Sequence, residues 1–229
     1  MLYLEDNYKK EFQTSIIKTI ENKIFLKETF FYARSGGQPG DQGTITIENK
    51  KLNVIDTVKE EGLFAHIVDQ EVNISEGTLI SAKILWEKRH RHMRMHTTMH
   101  LLCSVLPFYV TGGQIGYEKS RIDFDLGENK YDVQILESQI NKLIEEDHMV
   151  SYQWITKQEL DANPSLVRTL SVQPPNVSGK IRLVKIGEID LQPCGGTHVK
   201  TTKEIKKFKF IKFESKGKQN KRIHFKVED

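Results

Sequence analysis

Short runs of β-branched and aromatic residues, broken by Gly, Asn, Asp or charged residues, dominate the first 85 positions of the chain. Runs of this length, with turn-forming residues between them, are typical of β-strands. The runs are, in order, SIIKTI, KIFLKETFFY, GTITIE, KLNVIDTV, FAHIVD and TLISAKIL. Six strands in so short a stretch predict a small β-barrel or sandwich over residues 1–85.

The spacing of apolar residues changes at Trp86, after which EKRHRHMRMHTTMHLLCSVL continues for twenty residues without a helix breaker. This pattern predicts a long helix that Pro107 and Gly112-Gly113 bring to an end. Beyond it we predict a strand in YEKSRIDFDL, a helix in YDVQILESQINKLIEEDHM, a strand in SYQWIT, a short helix in KQELDANP, a strand pair in KIRLVKIGEIDLQP and a hairpin of KFKFIKFES with KRIHFKVE. Residues 86–229 are therefore predicted to form an α+β domain, with the boundary near Leu85.

The chain has 229 residues and two cysteines. This length is enough for two modest domains with their own cores, and the cysteines are too few for a disulfide framework. The sequence shows no signal peptide and no apolar run near the length of a membrane span. We therefore expect a cytoplasmic protein without membrane association, in which each cysteine is a thiol or a metal ligand.

Basic residues are concentrated at the C-terminal end of the chain. The formal net charge is +3, yet residues 199–229 contain eleven Lys or Arg against four Asp or Glu. This asymmetry favours a polyanionic partner for the C-terminal segment. The alternative, a lysine-rich strand surface that contacts only water, fits the composition equally well.

Four residues with metal-binding side chains occur in two widely separated motifs. His96 and His100 lie four residues apart on the predicted helix, so both imidazoles project from one face. Cys194 and His198 enclose Gly-Gly-Thr in CGGTH, where the glycines allow a turn tight enough for thiolate and imidazole to converge. Together they supply the N, N, S and N donors of a tetrahedral zinc site. His92 continues the helical row, but about 12 Å of helix separates it from His100, so we leave it out.

The sequence leaves two alternatives for this site. Cys103 lies one turn beyond His100 and competes with Cys194 as the sulfur ligand, although a free cysteine in HLLCSVL is more typical of a small buried hydrophobe. Four protein ligands would make a structural zinc with no open position, whereas withdrawal of one ligand would leave a position for water or substrate.

A glycine-rich stretch, FFYARSGGQPGDQG, joins two predicted strands at residues 30–43. It contains no GK[ST] and lacks the glycine spacing of a dinucleotide fingerprint, so we predict no nucleotide cofactor. The stretch is either a plain turn or a loop whose backbone approaches a substrate, with Ser35 and Gln38 as the polar side chains in reach. Its Gly-Gly-Gln triplet also occurs in peptide release factors, which act on the ester of peptidyl-tRNA but carry no zinc quartet.

Taken in order, FYARSGGQPGDQG, HMRMHTTMHLL, CGGTHV and the basic ESKGKQNKRIHF resemble the editing domain of alanyl-tRNA synthetases and the free-standing AlaX editing proteins. The glycine-rich loop resembles that of the longer AlaX type. The resemblance implies a small N-terminal β-barrel followed by an α+β editing domain of the threonyl- and alanyl-tRNA synthetase second-additional-domain type. It also implies hydrolysis of tRNA(Ala) mischarged with serine or glycine, with zinc ligands at His96, His100, Cys194 and His198.

The chain departs from the synthetase pattern in two ways. Arg34 stands in the glycine-rich loop where an acidic residue is frequent in synthetase editing domains. Nothing in the sequence resembles the ATP-binding catalytic domain, so we do not expect a complete alanyl-tRNA synthetase.

The resemblance and the residue chemistry together suggest a role for each candidate residue. We predict Gln38 and Ser35 as catalytic residues that position the ester, and Gly36, Gly37 and Thr97 as substrate-binding residues. Phosphate contacts are predicted for basic residues of the long helix and the C-terminal segment, namely Arg89, Arg94, Lys216, Lys218 and Arg222. Two rival functions are a zinc-stabilised RNA-binding module without catalysis and a metallohydrolase that acts on small esters or amides.

Overall fold

The computed structural model describes residues 1–129, 131–169, 176–177, 179–217 and 219–229. These residues form two compact units, Met1–His92 and Met93–Asp229. The division falls inside a helix, so the boundary near Leu85 that the sequence suggests stays a prediction. No helix among the described residues is both long and apolar enough to cross a lipid bilayer.

The first unit contains a closed antiparallel barrel, which confirms the predicted strand-rich N-terminal part. Its strands are β1 (Glu11–Ile20), β2 (Lys23–Leu26), β3 (Gly43–Ile47), β4 (Lys50–Glu60), β5 (Leu63–Val68) and β6 (Leu79–Ile84). Around the barrel they follow the order β1-β2-β5-β4-β3-β6, and β6 pairs with β1 from Lys83 opposite Glu11 to Leu79 opposite Ser15. A short 3-10 helix, Leu2–Leu4, precedes the barrel.

Alternation along the strands fills the barrel interior. In β4, for example, Leu52 and Val54 are buried while the residues that follow each of them, Asn53 and Ile55, are exposed, because successive side chains point to opposite faces of a strand. Ile16, Ile24 and Ile45 from three other strands join the same core. Full burial of each such side chain stabilises the unit by about 1.5–3 kcal/mol.

Helix α1 (Trp86–Val105) matches the predicted helix, and Pro107 lies just beyond its end. Its part in the second unit is buried on nearly every side, although polar residues occupy much of it, including Arg94, His96, Thr97 and His100. Buried polar side chains require hydrogen-bond or ion-pair partners. This segment of α1 is therefore where specific chemistry is to be sought.

The second unit is an α+β arrangement. One sheet has the order β13-β14-β8-β7, and in the other β11 pairs with β9, β10 and β12. The strands are β7 (Val110–Gln114), β8 (Ser120–Asp125), β9 (Val150–Thr156), β10 (Asn176–Val177), β11 (Lys180–Ile186), β12 (Asp190–Pro193), β13 (Lys207–Ser215) and β14 (Asn220–Glu228). Helices α2 (Val133–Glu145) and α3 (Lys157–Asp161) complete the unit, with two short 3-10 helices at Pro164–Leu166 and Thr202–Ile205.

Capping explains where the shorter helices begin. Asp132 accepts hydrogen bonds from the backbone of Gln134 and Ile135 at the start of α2. Thr156 and Glu159 form a reciprocal capping box at the start of α3. The apolar side of α2 packs into the core, with Leu136, Ile140 and Ile144 all buried.

Candidate metal centre and glycine-rich loop

Helix α1 and the turn after β12 bring the four predicted zinc ligands together. One donor atom from each of His96, His100, Cys194 and His198 lies within 4.8 Å of the others. Cys194 Sγ is 3.4 Å from Nε2 of both His96 and His198. In a tetrahedral zinc site, bond lengths of about 2.0–2.3 Å put neighbouring donor atoms roughly 3.3–3.6 Å apart. The donor types fit such an ion and two of the donor pairs have this spacing, while Cys103 is not part of the cluster.

Asp190 holds the imidazole of His100. Its Oδ2 lies 2.9 Å from His100 Nδ1 and accepts a hydrogen bond of 2.8 Å from Gln192 Nε2. Both polar side chains lie on β12 and are almost fully buried. Because Nδ1 is engaged by the carboxylate, Nε2 is the nitrogen that faces the cluster, an arrangement typical of metal-binding histidines.

Thr97 does the same for His198, and its predicted substrate-binding role stays a prediction. The Thr97 hydroxyl donates to Met93 O at 2.9 Å and lies 3.1 Å from His198 Nδ1. Since its single proton goes to Met93, it accepts from Nδ1–H of His198, which leaves Nε2 as the metal-binding nitrogen. Thr97 has no exposed surface, so in this structure its contacts are with the protein, among them a metal-binding histidine.

Arg182 fixes the turn that carries Cys194, a contact that sequence reasoning missed. Its Nε donates to Cys194 O at 3.0 Å, and its Nη2 donates to Gly196 O. The guanidinium also lies 4.6 Å from the ring centroid of Tyr152, within the range of a cation–π contact. Arg182 is 1% exposed, so these contacts are screened little by water.

The charges of the cluster favour a thiolate at Cys194. Burial alone raises the pKa of this thiol, but the electrostatic influence of the His96 and His198 imidazoles and hydrogen bonds from His100 and His198 outweigh it and lower the pKa well below its usual value. Burial and the neighbouring charge of His96 lower the pKa of His198, which favours its neutral, metal-binding form. Burial also lowers the pKa of His100, but Asp190 and Cys194 outweigh it and raise the pKa to about 9, so metal binding competes with this proton.

Cys103 has the properties of a core residue. It is 3% exposed, and burial raises the pKa of its thiol to about 12. A cysteine with so high a pKa is a poor metal ligand, because ligation requires the thiolate. The sequence-based preference for Cys194 therefore agrees with the environments of both residues.

The glycine-rich loop of the first unit is a two-residue hairpin turn. Ser35 and Gln38 exchange backbone hydrogen bonds of 3.2 and 2.8 Å, and Gly36 and Gly37 between them have φ values of +52° and +82°. Positive φ at both central positions defines a type I′ turn, which non-glycine residues adopt only with strain. All three residues of the tip, Ser35 to Gly37, are exposed. Backbone geometry thus accounts for the Gly-Gly pair, and the tip is accessible to a partner.

The two predicted catalytic side chains lie in different surroundings. Ser35 Oγ is 2.6 Å from the hydroxyl of the buried Tyr32, which also donates to Ser35 O at 2.9 Å. Gln38 is 1% exposed. Arg34, the departure from the synthetase pattern, has a largely exposed side chain that pairs with Asp56 at 3.2 Å. The catalytic roles of Gln38 and Ser35 stay predictions, as do the substrate contacts of Gly36 and Gly37.

The two α1 arginines that were predicted to contact phosphates, Arg89 and Arg94, are buried and engaged within the protein. The Arg89 side chain has no exposed surface and forms a bidentate pair with Asp41, with further donations to Asn7 O at 2.9 Å and Phe30 O at 2.6 Å. Arg94 is 5% exposed and donates to Ile205 O at 2.7 Å and to backbone and side-chain oxygens of residues 228–229. Both guanidinium groups thus direct their donors into the protein, and a phosphate contact by either residue stays a prediction.

The predicted basic contacts at the C-terminal end have mixed surroundings. Arg222 forms two hydrogen bonds of 2.8 Å with Asp123, and Lys216 pairs with Glu214 at 2.5 Å. Lys218 lies outside the described residues. A role for these three residues at a phosphate backbone stays a prediction, and for Arg222 it would have to coexist with the Asp123 pair.

Comparisons with known proteins cover both units. A family model described as threonyl and alanyl tRNA synthetase second additional domain matches residues 181–224, and one described as tRNA synthetases class II (A) matches residues 4–88. The chain is 36% identical to the alanyl-tRNA editing protein AlaX-M of Methanosarcina barkeri, over 100% of this chain and 98% of that protein. It is 34% identical to AlaX-L of Pyrococcus horikoshii, over 98% of this chain and 57% of that one. The alanine-tRNA ligase of Pyrococcus furiosus matches at 31% identity, over 93% of this chain and 24% of the ligase.

Proposed function

The chain belongs to the AlaX family of alanyl-tRNA editing proteins, and from that premise we propose that it hydrolyses the ester between a wrong amino acid and the 3′ end of tRNA(Ala). We propose serine and glycine as the wrong amino acids. The protein is proposed to act in the cytoplasm, where tRNA is charged. The observation that carries the proposal is the cluster of His96, His100, Cys194 and His198, whose donor atoms lie within 4.8 Å of one another. We propose that the barrel, residues 1–85, and the remainder, residues 86–229, act as the two functional domains.

Zinc is the ion that we propose for the cluster. Three imidazole nitrogens and one thiolate in a tetrahedral spacing are the donors that zinc prefers. When bound, it supplies a Lewis acid that polarises an oxygen or holds the terminal ribose. The chain's own contribution is to keep the donors in place, through Asp190 on His100, Thr97 on His198 and Arg182 on the Cys194 turn.

Selection of the amino acid is assigned, in this proposal, to the glycine-rich loop. An aminoacyl ester is already reactive, so correct positioning supplies much of the acceleration that is needed. Serine differs from alanine by one hydroxyl, and a site discriminates strongly only when it hydrogen-bonds that group. Ser35 and the amide of Gln38 are the polar groups nearest the exposed Gly36-Gly37 tip along the chain.

A deacylation assay tests the activity. Seryl-, glycyl- and alanyl-tRNA(Ala) are incubated with the purified protein, and release of the amino acid is followed by single-turnover kinetics. We expect hydrolysis of the seryl and glycyl esters and slower loss of alanine. Survival of all three esters at the rate of the protein-free reaction would contradict the proposal.

The metal assignment has its own experiment. The double variant His100→Ala/Cys194→Ala is expected to lose bound zinc, measured by elemental analysis after gel filtration, because two of four donors are removed. Cys103→Ala is the matched variant, since it removes the other cysteine, and it should retain about one zinc per chain. Full occupancy in the double variant, or loss in Cys103→Ala, would show that the ligands are assigned wrongly.

The role of Gln38 is tested by selectivity. Gln38→Ala is expected to slow seryl-tRNA hydrolysis much more than it changes zinc content or tRNA affinity. The difference between the hydrolysis rates of seryl- and alanyl-tRNA should therefore become smaller. Because Gln38 is buried, the thermal stability of the variant is measured in parallel. Unchanged rates on both substrates would make the loop a structural turn.

One observation favours a second function, an RNA-binding module with a structural zinc. Four protein donors fill a tetrahedral ion completely, whereas catalytic zinc usually keeps one open position. Cobalt substitution distinguishes the two functions. A visible spectrum that shifts when an unreactive aminoacyl-adenosine analogue binds supports an open position, and an invariant spectrum together with intact esters supports the structural role.

A further inference from the structure

Strands β9, β11 and β12 align their side chains in rows across one face of the sheet. From the β9 side the rows are Val150–Ile186–Asp190, Tyr152–Val184–Gln192 and Trp154–Arg182. The third row continues to the metal turn, because Cys194 N donates to Arg182 O at 3.1 Å. Alternate residues of a strand share a face, so Trp154 lies on the same face as the residues that hold the metal ligands.

The two ends of these rows differ in character. At the β12 end, Asp190 and Gln192 are buried and engaged with His100, and Arg182 is engaged with the Cys194 turn. At the β9 end, Trp154 is 41% exposed. Within the described part of the chain, its indole makes no ring contact or side-chain hydrogen bond. The indole ring is thus accessible on the sheet face that also carries the residues holding the metal ligands.

The span between the two ends suits one nucleoside. Neighbouring strands lie about 4.7–4.9 Å apart, so the backbones of β9 and β12 are roughly 10 Å apart. A terminal nucleoside with its ester at the metal centre could therefore place its base at β9. Aromatic side chains stack on bases of single-stranded RNA without reading their hydrogen-bonding edges, which suits an invariant terminal adenine.

We propose that Trp154 is a substrate-binding residue that stacks on the adenine at the 3′ end of tRNA while the amino-acid ester lies at the metal centre. The proposal rests on the proposed function, because it takes the 3′ end of tRNA as the ligand. Arg182, the cross-strand neighbour of Trp154, links this row to the metal centre, since its guanidinium contacts Tyr152 and the carbonyls of the metal turn.

Three variants test the stacking role of Trp154 in the deacylation assay. Trp154→Ala is expected to raise KM for seryl-tRNA(Ala) roughly 5- to 150-fold, the range that corresponds to the loss of one stacked base. Trp154→Phe keeps a ring and should recover most of the affinity. Tyr109→Ala removes another exposed aromatic side chain of the same unit and should leave KM unchanged. Equal KM values in wild type and Trp154→Ala, to within about twofold, would overturn the proposal.

Binding without chemistry provides an independent measurement. An unacylated RNA that ends in CCA is titrated while tryptophan fluorescence is recorded, and the chain has only one other tryptophan, Trp86. We expect quenching in the wild type and loss of this quenching in Trp154→Phe, where binding persists. Quenching that survives in Trp154→Phe, or that an RNA lacking the terminal adenosine produces equally, would overturn the proposal. Quenching that requires Trp154, in a protein that leaves mischarged tRNA intact, would support stacking and reject the proposed hydrolysis.

Discussion

Replacing Arg89 with leucine leaves the carboxylate of Asp41 buried without its cation. The side chains of the pair are 0% and 1% exposed, so water cannot take over the lost contacts. Removing one partner of a buried ion pair costs about 3–5 kcal/mol, far more than the pair contributes as a whole. For a chain of this size, each kcal/mol lowers Tm by about 2–4 °C, so the variant should melt about 6–20 °C lower.

Thermal and urea unfolding, followed by circular dichroism, measure this loss. Arg34→Leu is the matched variant, because Arg34 also pairs with a carboxylate of the first unit but has an exposed side chain. It should lose only about 0–1 kcal/mol. Adding Asp41→Asn to Arg89→Leu should recover part of the loss, since a neutral amide oxygen can still accept from Tyr32 N without a buried charge.

A different outcome would refute this reasoning. If Arg89→Leu unfolds like the wild type and instead weakens tRNA binding with a smaller salt dependence, Arg89 is a phosphate contact. The buried pair with Asp41 would then be wrong, and the phosphate contact that the sequence suggested for Arg89 would stand.

Three further predictions follow from other contacts. Asp190→Ala should weaken zinc binding about 10- to 100-fold, measured by competition with a chelator, because His100 Nδ1 loses its partner. Burial lowers the pKa of His66 to about 4, so the unfolded chain takes up a proton at this residue first as the pH falls. Between pH 6.5 and 4 the free energy of unfolding should therefore fall by about 3 kcal/mol less in His66→Gln than in the wild type. Cys103→Ser should react with thiol reagents at the wild-type rate under native conditions, because Cys103 is buried in the folded protein and does not contribute to the reaction. Cys194→Ser should slow the reaction, because it removes the more accessible thiol.

The sequence predicted most of the architecture because the relevant signals are local. Short β-branched and aromatic runs between turn-forming residues located the barrel strands, and the unbroken stretch from Trp86 located α1. The metal cluster was also predictable, since its four donors occur as two pairs with characteristic spacing. Strand β7 was not predicted, because Gly112 and Gly113 within it are residues that normally weaken a strand.

What the sequence could not provide is the partner of each buried polar residue. Arg89 resembled a surface cation because Asp41 lies 48 residues away, and Arg94 donates to Ile205, which lies 111 residues away. Spacing along a helix indicates which residues share a face, but it does not indicate which residues pack against that face. The same limit hid Arg182, whose contacts with the metal turn depend on the register of β11 and β12.

Closure of the barrel by β1 and β6 also shapes how the protein folds. The pairing of Phe12 with Ala82 joins residues 70 positions apart, and closing a loop of that length costs about 4 kcal/mol of chain entropy beyond a constant term. Contacts so distant in sequence are typical of slow folding. During synthesis, β1 and β3 have open edges until β6 leaves the ribosome, and open edges pair readily with other chains. The last strand of the barrel is thus the one that ends its exposure to aggregation.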